Sequence, residues 1–427
     1  MENILGITAE YDPFHSGHAY QLARAREQVH PDAVVCAMSG NFTQRGEPAV
    51  LDKWTRAKIA VRQGVDLVFE LPFMYACSRA ERFAEGAVDL LVSAGVTHIS
   101  FGCEAQQPED LLELADGQLS RNRQAEEMTR DFMKAGYSRA KATELTSRQL
   151  FGNELTDLML APNNILALEY LKRTRWWEES GGVTVHSVPV RRYGSDYRQE
   201  NRTEGYAGGV ALRRMMAAGQ DINAYLSYDQ EEFSWVDLPA AQQRLYELLR
   251  SILLRSTPEE LAGIYCVGEG MEHRLKREAV FRDTFDSFLT AMISKRYTAA
   301  TIRRIMMYIL MNIREMPACA PYGRVLAASA AGRKLLRRLQ DREEAYASGI
   351  TGAGSTENCE SGRPCLCSNG KRIPPLTVVA GKNRMTGMVE SMRQALQMDS
   401  LATDMYNLIC ARSLEDGMDA KQRPYIE

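Results

Sequence analysis

The sequence predicts an α/β fold with a parallel sheet in its first half, followed by a mainly helical second half. Between residues 2 and 190, short apolar and β-branched runs alternate with amphipathic stretches. Beyond residue 220, apolar residues recur at helical spacing with few strand signals. A chain of 427 residues is too long for one compact core, so we expect two domains, 1–220 and 221–427.

Five apolar runs are predicted as strands of the parallel sheet. The first, ENILGITA at 2–9, has no room for a helical face and is typical of a buried strand. Helical stretches separate it from the others, as parallel pairing requires. The others are AVVCAM (33–38), DLVFEL (66–71), THISFG (97–102) and TVHSVPV (184–190).

The stretch EYDPFHSGH at 10–18 connects the first strand to the first helix. Asp12-Pro13 breaks the strand, and apolar residues at helical spacing follow Gly17. In an open parallel sheet this loop lies beyond the carboxyl end of the strand, where the first amides of the helix are unpaired. Those amides and the helix dipole favour an anion, so the loop predicts a phosphate site.

Two of the six histidines, His15 and His18, lie at the entrance and in the first turn of that helix. Imidazole N–H groups can donate to phosphate oxygens, and Gly17 lets the backbone approach a nucleotide closely. Two other interpretations stay open: His18 caps the helix beside a satisfied His15, or both bind zinc. Zinc is disfavoured because H-x-x-H lacks a third ligand and the H-E-x-x-H pattern.

Composition and charge exclude several classes of protein. Hydrophobic residues make up 45% and charged residues 25%, as in soluble globular proteins. No apolar run reaches the roughly 18 residues of a membrane span, and the first residues do not resemble a signal peptide, so we expect a cytoplasmic protein with no membrane partner. The net charge of −3 argues against a generally basic surface, so an RNA partner would need local basic stripes.

Three basic stripes are candidates for such a partner, although a solvated helix face is the default interpretation of each. Tyr297 and Tyr308 favour the second of the three stripes, which contains Lys295-Arg296 and Arg303-Arg304, because aromatic side chains beside arginines stack on unpaired RNA bases. The stripes are Arg191-Arg192, then Lys295-Arg296 with Arg303-Arg304, and then Arg333-Lys334 with Arg337-Arg338.

The nine cysteines are scattered and odd in number, which predicts reduced thiols rather than a disulfide framework. Cys359, Cys365 and Cys367 cluster in CESGRPCLC but fall short of a zinc quartet. They lie in a Gly/Ser-rich stretch near 347–372 that we interpret as a flexible insertion. No metal-ligating residue is therefore predicted.

Several motifs carry a resemblance to known enzymes. GITAEYDPFHSGHAY at 6–20 resembles the H-x-G-H signature of the nucleotidylyltransferase superfamily, which binds ATP on a Rossmann-like (HUP-type) sheet. MSGNFTQRGEPAVLDKWTRAKIA at 38–60 is more specific and resembles the bacterial tRNA(Met) cytidine acetate ligase family. Further similar segments are ELPFMYACSRAERFAEGAVDLL (70–91), FGCE (101–104), PNNILALEYLK (162–172), KRYTAATIRR (295–304), PYGRVLAASAAGRKLL (321–336) and LATDMYNL (401–408).

The resemblance implies an ATP-dependent ligase that forms acetyl-adenylate from acetate and acetylates N4 of the wobble cytidine of elongator tRNA(Met). The exocyclic amine of cytosine is a weak nucleophile, so acetate must first be activated, with pyrophosphate and then AMP as leaving groups. His, Arg and Mg²⁺ would spread the developing charge. The alternatives are a nucleotidylyltransferase acting on a small phosphorylated metabolite and a non-catalytic RNA-binding relative. The long helical half favours the ligase.

The resemblance also implies the site residues. His15 and His18 would be catalytic, stabilising charge on the α- and β-phosphates. Gly102 would lie by the adenosine, where a side chain would clash. Independently of the resemblance, the stripe with the neighbouring tyrosines is the candidate for tRNA binding, through Lys295, Arg296, Arg303 and Arg304. The implied ATP-binding residues are Thr8, Ala9, Glu10, Tyr11, Asp12, Pro13, Phe14, His15, Ser16, Gly17, His18, Gly102, Asn163 and Arg192.

Some of these assignments leave alternatives. A one-residue shift would select Asn164 or Arg191, and Lys53 and Arg56 of the specific block are candidate anion contacts.

The chain departs from the family pattern in the opening motif, in a later loop and at Arg198, which replaces a family histidine. Asp12 and Ser16 stand where the family usually has asparagine, and Asp12 adds negative charge near the phosphates. The segment EGYAGGVALRR at 204–214 lacks the hydroxyl groups of the family loop, although the amides of Gly208 and Gly209 can still form an anion nest.

Overall fold

The predicted α/β fold is confirmed in the computed structural model, where a large, mostly parallel sheet carries helices on both faces. None of the helices described is both long and apolar enough to cross a membrane. The structure describes residues 2–105, 109–137, 139–192, 207–316, 322–347, 366–368, 371–373, 376–379, 388–414 and 417–427.

The five predicted strands form the parallel part of the sheet, in the spatial order β3-β2-β1-β4-β5. Their bounds are β1 Ile4–Ala9, β2 Ala33–Ser39, β3 Leu67–Leu71, β4 His98–Cys103 and β5 His186–Arg191. After β2 and β3 the chain returns to the other side of β1 to form β4. The crevice beyond the carboxyl ends of β1 and β4 is therefore the topological switch point, where α/β sheets bind ligands.

Helices of the first half cover the two faces of the sheet, with α1 and α2 in one core and α4 and α8 in the other. Their bounds are α1 Ser16–Val29, α2 Lys53–Arg62, α3 Phe73–Ala76, α4 Ala80–Ser93, α5 Glu109–Ser120, α6 Asn122–Lys134, α7 Arg139–Leu160, α8 Pro162–Trp176 and α9 Gly209–Ala217. A π-helical turn at Trp177–Gly181 follows α8. Helix α7 bends at Gly152, where φ is 80°.

Helices of the second half build a separate core, as expected from their apolar spacing, and Phe42 and Phe73 of the first half enter it. Helices α10 to α14 and α16 contribute to this core. The bounds are α10 Leu238–Arg255, α11 Pro258–Ala262, α12 Met271–Phe281, α13 Phe285–Met292, α14 Ala299–Leu310, α15 Ala330–Ala347, α16 Glu390–Ile409 and α17 Met418–Lys421. Short 3₁₀ turns lie at Asn223–Tyr225 and Gln230–Glu232.

The second half also returns to the sheet, which the sequence analysis did not predict. Strand β6 pairs antiparallel with β3, and β9 and β10 pair parallel with β6. Strands β7 and β8 form a separate antiparallel pair. A boundary at residue 220 therefore does not separate the sheet from the helices. The bounds are β6 Tyr322–Ala328, β7 Leu366–Ser368, β8 Lys371–Ile373, β9 Thr377–Val379 and β10 Tyr425–Ile426.

The insertion predicted near 347–372 is described only at residue 347, in β7 and at the start of β8. Cys367 belongs to β7, whereas Cys359 and Cys365 lie outside the described residues.

Candidate nucleotide-binding site

The loop between β1 and α1 lies at the switch point, and two imidazoles cap the helix that follows it. His15 is the N-cap residue, and its Nδ1 accepts a hydrogen bond from the Gly17 amide at 3.0 Å. In return, the His15 amide donates to Nδ1 of His18 at 3.3 Å. The pair thus forms a capping box, so the capping interpretation of His18 holds and extends to His15.

Capping leaves both imidazoles neutral, with one free donor each. Since Nδ1 of each ring accepts an amide proton, the ring proton must sit on Nε2. Burial, with the charges of Arg192 and Arg213, lowers the pKa of His15 to about 3. Burial, with His15 and Arg192, lowers the pKa of His18 well below its usual value. The rings stack with centroids 3.8 Å apart, so two neutral N–H donors lie side by side at the end of β1.

Aromatic residues of the same loop hold the His18 ring. Tyr11 and Phe14 are both buried, and their ring centroids lie 5.0 Å and 5.6 Å from that of His18. The Glu10 carboxylate accepts the Gln44 amide at 2.6 Å, and burial raises the Glu10 pKa. Tyr11, Phe14 and Glu10 belong to the implied ATP-binding set, and their contacts within the protein support the loop.

Arg213 of helix α9 joins this loop, and the sequence analysis missed it. Its Nη1 donates to the Asp12 carbonyl at 2.8 Å and lies 3.3 Å from the Asp12 carboxylate. That carboxylate also accepts the Val50 amide at 2.7 Å, so the negative charge introduced by Asp12 is neutralised within the protein. A Cβ at Gly209 would lie 3.1 Å from the Asp12 carbonyl oxygen, which shows how closely the start of α9 approaches the loop.

Gly102, Asn163 and Arg192, which the resemblance assigned to one ATP site, lie together in the structure. Arg192 Nη1 donates to Asn163 Oδ1 at 3.2 Å. A Cβ at Gly102 would lie 3.3 Å from Cγ of Arg192, so here the glycine makes room for the arginine stem. A side chain at position 102 would therefore crowd Arg192, and the place of Gly102 beside the adenosine stays a prediction.

The alternative assignments shifted by one residue do not suit the site. Asn164 is buried, accepts the Glu104 amide at 2.8 Å and donates to the Leu158 carbonyl at 2.9 Å. Arg191 is exposed. Asn163 and Arg192, which hydrogen-bond to each other, therefore stay the predicted pair.

Lys53 and Arg56 are not available as anion contacts, which corrects the sequence-based hypothesis. Lys53 is fully buried, with Nζ 2.8 Å from Glu70 Oε1 and 2.9 Å from Asp419 Oδ1. Arg56 is buried too, and its guanidinium donates to the carbonyls of Leu51, Glu10 and Gly40. Arg56 therefore fastens the ends of β1 and β2 together, and Lys53 belongs to a buried ion cluster.

The basic stripe at 295–304 is also divided by the fold. Arg304 is buried and donates to the Gln44 carbonyl at 3.1 Å, while Arg303 pairs with Glu47 at 3.0 Å. Tyr308 is buried with its hydroxyl on the Cys77 carbonyl at 2.7 Å, so it cannot stack on RNA. Lys295 and Arg296 remain exposed, although Arg296 pairs with Glu269.

Comparisons with known proteins identify the family of this chain. The HIGH Nucleotidyl Transferase family matches residues 1–421. The tRNA(Met) cytidine acetate ligase of Caldicellulosiruptor bescii is 34% identical over 353 residues, covering 80% of this chain and 86% of the relative. The ligase of the same name from Listeria welshimeri is 36% identical over 347 residues, covering 78% and 84%.

Solved structures of Thermotoga maritima TmcAL, one apo and one bound with alpha-thio ATP, superpose with a TM-score of 0.82. Each is 25% identical to this chain, and the match covers 99% of both chains. With its H-x-G-H loop at the switch point and relatives above 30% identity along most of its length, this chain belongs to the HIGH Nucleotidyl Transferase family, among the tRNA(Met) cytidine acetate ligases.

Proposed function

We propose that this protein is an ATP-dependent ligase that activates acetate and acetylates N4 of the wobble cytidine of elongator tRNA(Met). The observation that carries the proposal is the pair of neutral, stacked histidines beside Arg192 and Arg213, at the switch point of a nucleotidylyltransferase fold. The names of the relatives supply the acid and the RNA. The likeness to a structure bound with alpha-thio ATP supports ATP as the nucleotide.

The chain's own residues suit the first half-reaction. One acetate oxygen attacks the α-phosphorus of ATP, the bond to the β-phosphate oxygen breaks, and pyrophosphate leaves. Nε2–H of His15 and of His18 would donate to the α- and β-phosphate oxygens as negative charge develops there. Neutral donors do this without a proton transfer, and the two guanidinium groups supply the positive charge.

The second half-reaction completes the balance. The N4 amine attacks the acetyl carbonyl of the adenylate, AMP leaves, and the amine loses one proton to solvent. Lys295 and Arg296 are the members of the predicted stripe that remain exposed, and we propose them as tRNA contacts. A tRNA substrate makes the cytoplasm the place of action.

Mg²⁺ would enter with the triphosphate as part of the substrate. Across the described ranges, no group of three His, Cys, Asp or Glu side chains could hold a metal ion. The Asp12 carboxylate of the loop is already bonded to Val50 and Arg213. When bound, Mg²⁺ supplies positive charge to the phosphate oxygens.

The test is to incubate the protein with tRNA(Met), labelled acetate and MgATP, then to identify labelled nucleosides by mass spectrometry. We expect N4-acetylcytidine at the wobble position, with one AMP and one pyrophosphate released for each acetyl group. Labelled acetyl-coenzyme A without ATP should give no labelled product. ADP formation, or acetyl transfer from coenzyme A, would overturn the proposal.

A second substrate arm addresses the alternative. A nucleotidylyltransferase acting on a small phosphorylated metabolite would release pyrophosphate with such a metabolite and without tRNA or acetate. That result, with no label in tRNA, would replace the ligase by the alternative.

A further inference from the structure

Glu104 lies directly after β4, two residues beyond Gly102, and none of the roles assigned above involves its carboxylate. Two successive asparagines at the start of α8 hold it. Its amide donates to Asn164 Oδ1 at 2.8 Å, and its carboxylate accepts a hydrogen bond from Asn163 Nδ2. The main chain of Glu104 is therefore fixed, and its side chain contacts Asn163, the hydrogen-bond partner of Arg192.

This contact decides which way the Asn163 amide points. A carboxamide can present either its oxygen or its nitrogen to a neighbour, whereas a carboxylate only accepts. Glu104 therefore draws Nδ2 of Asn163 toward itself and turns Oδ1 toward Arg192, where it accepts the guanidinium at 3.2 Å. With the amide reversed, its N–H groups would face the guanidinium, which has no acceptor.

Arg192 is held on its other sides by packing and by charge. Its stem crosses Gly102, where a Cβ would lie 3.3 Å from Cγ and 3.5 Å from Cδ. Burial lowers the Arg192 pKa, and the negative charge of Glu104 opposes that shift. The positive charge of Arg192 also lowers the pKa of both His15 and His18.

We propose that Glu104 is a positioning residue of the nucleotide site, which orients the Asn163 amide and so holds Arg192 beside the two histidines. Glu104 itself does not touch the nucleotide. The inference rests on the proposed function only in that the ligand is ATP, and it requires neither acetate nor tRNA.

The test is calorimetric titration of the full chain with MgATP, in the absence of acetate and tRNA. Glu104→Ala should weaken ATP binding on the order of tenfold, since the charge-assisted hydrogen bond from Asn163 to Glu104 is lost. Glu104→Gln keeps an acceptor for Asn163 and should restore most of the affinity. Glu169→Ala is the matched control, because Glu169 is a partly exposed carboxylate on α8 that pairs with Lys172. The affinity of the Glu169→Ala variant for MgATP should equal that of the wild type.

A double variant separates positioning from a general structural role. If Glu104 acts through Arg192, the variant carrying both Glu104→Ala and Arg192→Ala should bind ATP no more weakly than Arg192→Ala alone. Three results would each overturn the inference. They are losses of ATP affinity that multiply in the double variant, wild-type ATP affinity in Glu104→Ala, and no recovery of ATP affinity in Glu104→Gln. Circular dichroism spectra confirm that the compared variants are folded.

The outcomes also keep this inference apart from the ligase proposal. If the wild type binds ATP with the expected variant pattern but labels no tRNA, the ligase proposal fails and the positioning role of Glu104 stands. If the wild type labels tRNA and Glu104→Ala binds ATP normally, only the positioning role fails.

Discussion

Replacing Lys53 by Met tests whether this lysine belongs to the buried ion cluster or to the anion site. Its Nζ lies 2.8 Å from both Glu70 oxygens and 2.9 Å from Asp419 Oδ1. The three side chains are 0%, 3% and 2% exposed. Methionine would leave two buried carboxylates to share Arg324, which lies 3.5 Å from Glu70 and also pairs with Asp419.

The expected cost follows from that geometry. Removing one partner of a buried ion pair typically costs about 3–5 kcal/mol, because the remaining charge stays buried without compensation. We therefore expect Lys53→Met to lower the free energy of unfolding by about 3–5 kcal/mol at pH 7, measured by urea titration followed by circular dichroism. Lys58→Met, in the same helix and partly exposed over the Tyr425 ring, should cost less than about 1 kcal/mol.

The pH dependence of the loss has a definite sign. Burial raises the Asp419 pKa, but Lys53 and Arg324 outweigh it and hold the pKa below its ordinary value. A lowered carboxyl pKa contributes stability above the pKa of the unfolded state and loses it as the pH falls. Without Lys53 this contribution shrinks, so the difference in unfolding free energy between wild type and Lys53→Met should stay constant above the unfolded pKa of 3.8 and narrow as the pH falls below it.

The exchange activity of the folded Lys53→Met protein distinguishes a lysine of the buried ion cluster from an anion contact. Acetate-dependent exchange of pyrophosphate into ATP should keep the wild-type rate per folded molecule. A Lys53→Met protein of wild-type stability whose exchange falls more than tenfold would refute the structural assignment and restore the anion contact.

Three further outcomes are expected. His15→Ala and His18→Ala should each lower acetate-dependent exchange on the order of a hundredfold to a thousandfold, measured with labelled pyrophosphate; wild-type rates in folded variants would remove both from the site. The pKa of His15 falls from 6.5 when unfolded to about 3 when folded, so the unfolded state binds more protons and stability falls with pH below 6.5. Relative to His15→Asn, the free energy of unfolding of the wild type should fall by about 3 kcal/mol between pH 7 and pH 4 in urea titrations. The same fall in both proteins would contradict this. Arg296→Ala should weaken tRNA binding in filter assays more than it lowers exchange, whereas equal losses would mean a structural role.

The parallel sheet was predictable because each of its strands is a short apolar run between helical stretches. The same reasoning located His15 and His18, since a loop after a strand and before a helix fixes which amides are free. Strand β6 carried a similar signal in YGRVLAA, but its helical surroundings masked it. A single strand that joins a distant sheet has no neighbouring strand in the sequence to mark it.

The roles of the cations were not predictable. Helical periodicity places Lys53 and Arg56 off the apolar face of α2, which is also where solvated residues lie. Only the tertiary structure shows that strand-end carbonyls and the carboxylates of Glu70 and Asp419 occupy that side. The contacts of Arg303 and Arg304 within the protein were missed for the same reason, because residues 44–47 pack against that part of α14.

The late arrival of β6 has a consequence for synthesis on the ribosome. Strand β3 ends at Leu71, but the strand that covers its outer edge begins only at Tyr322. At about 5–20 residues per second, those 251 residues take about 12–50 s to translate. During that interval the unpaired edge of β3 is open to any other extended segment, including β3 of a neighbouring nascent chain. We expect chaperone dependence in this protein to track elongation speed between residues 71 and 322, with slower codons in that stretch increasing aggregation.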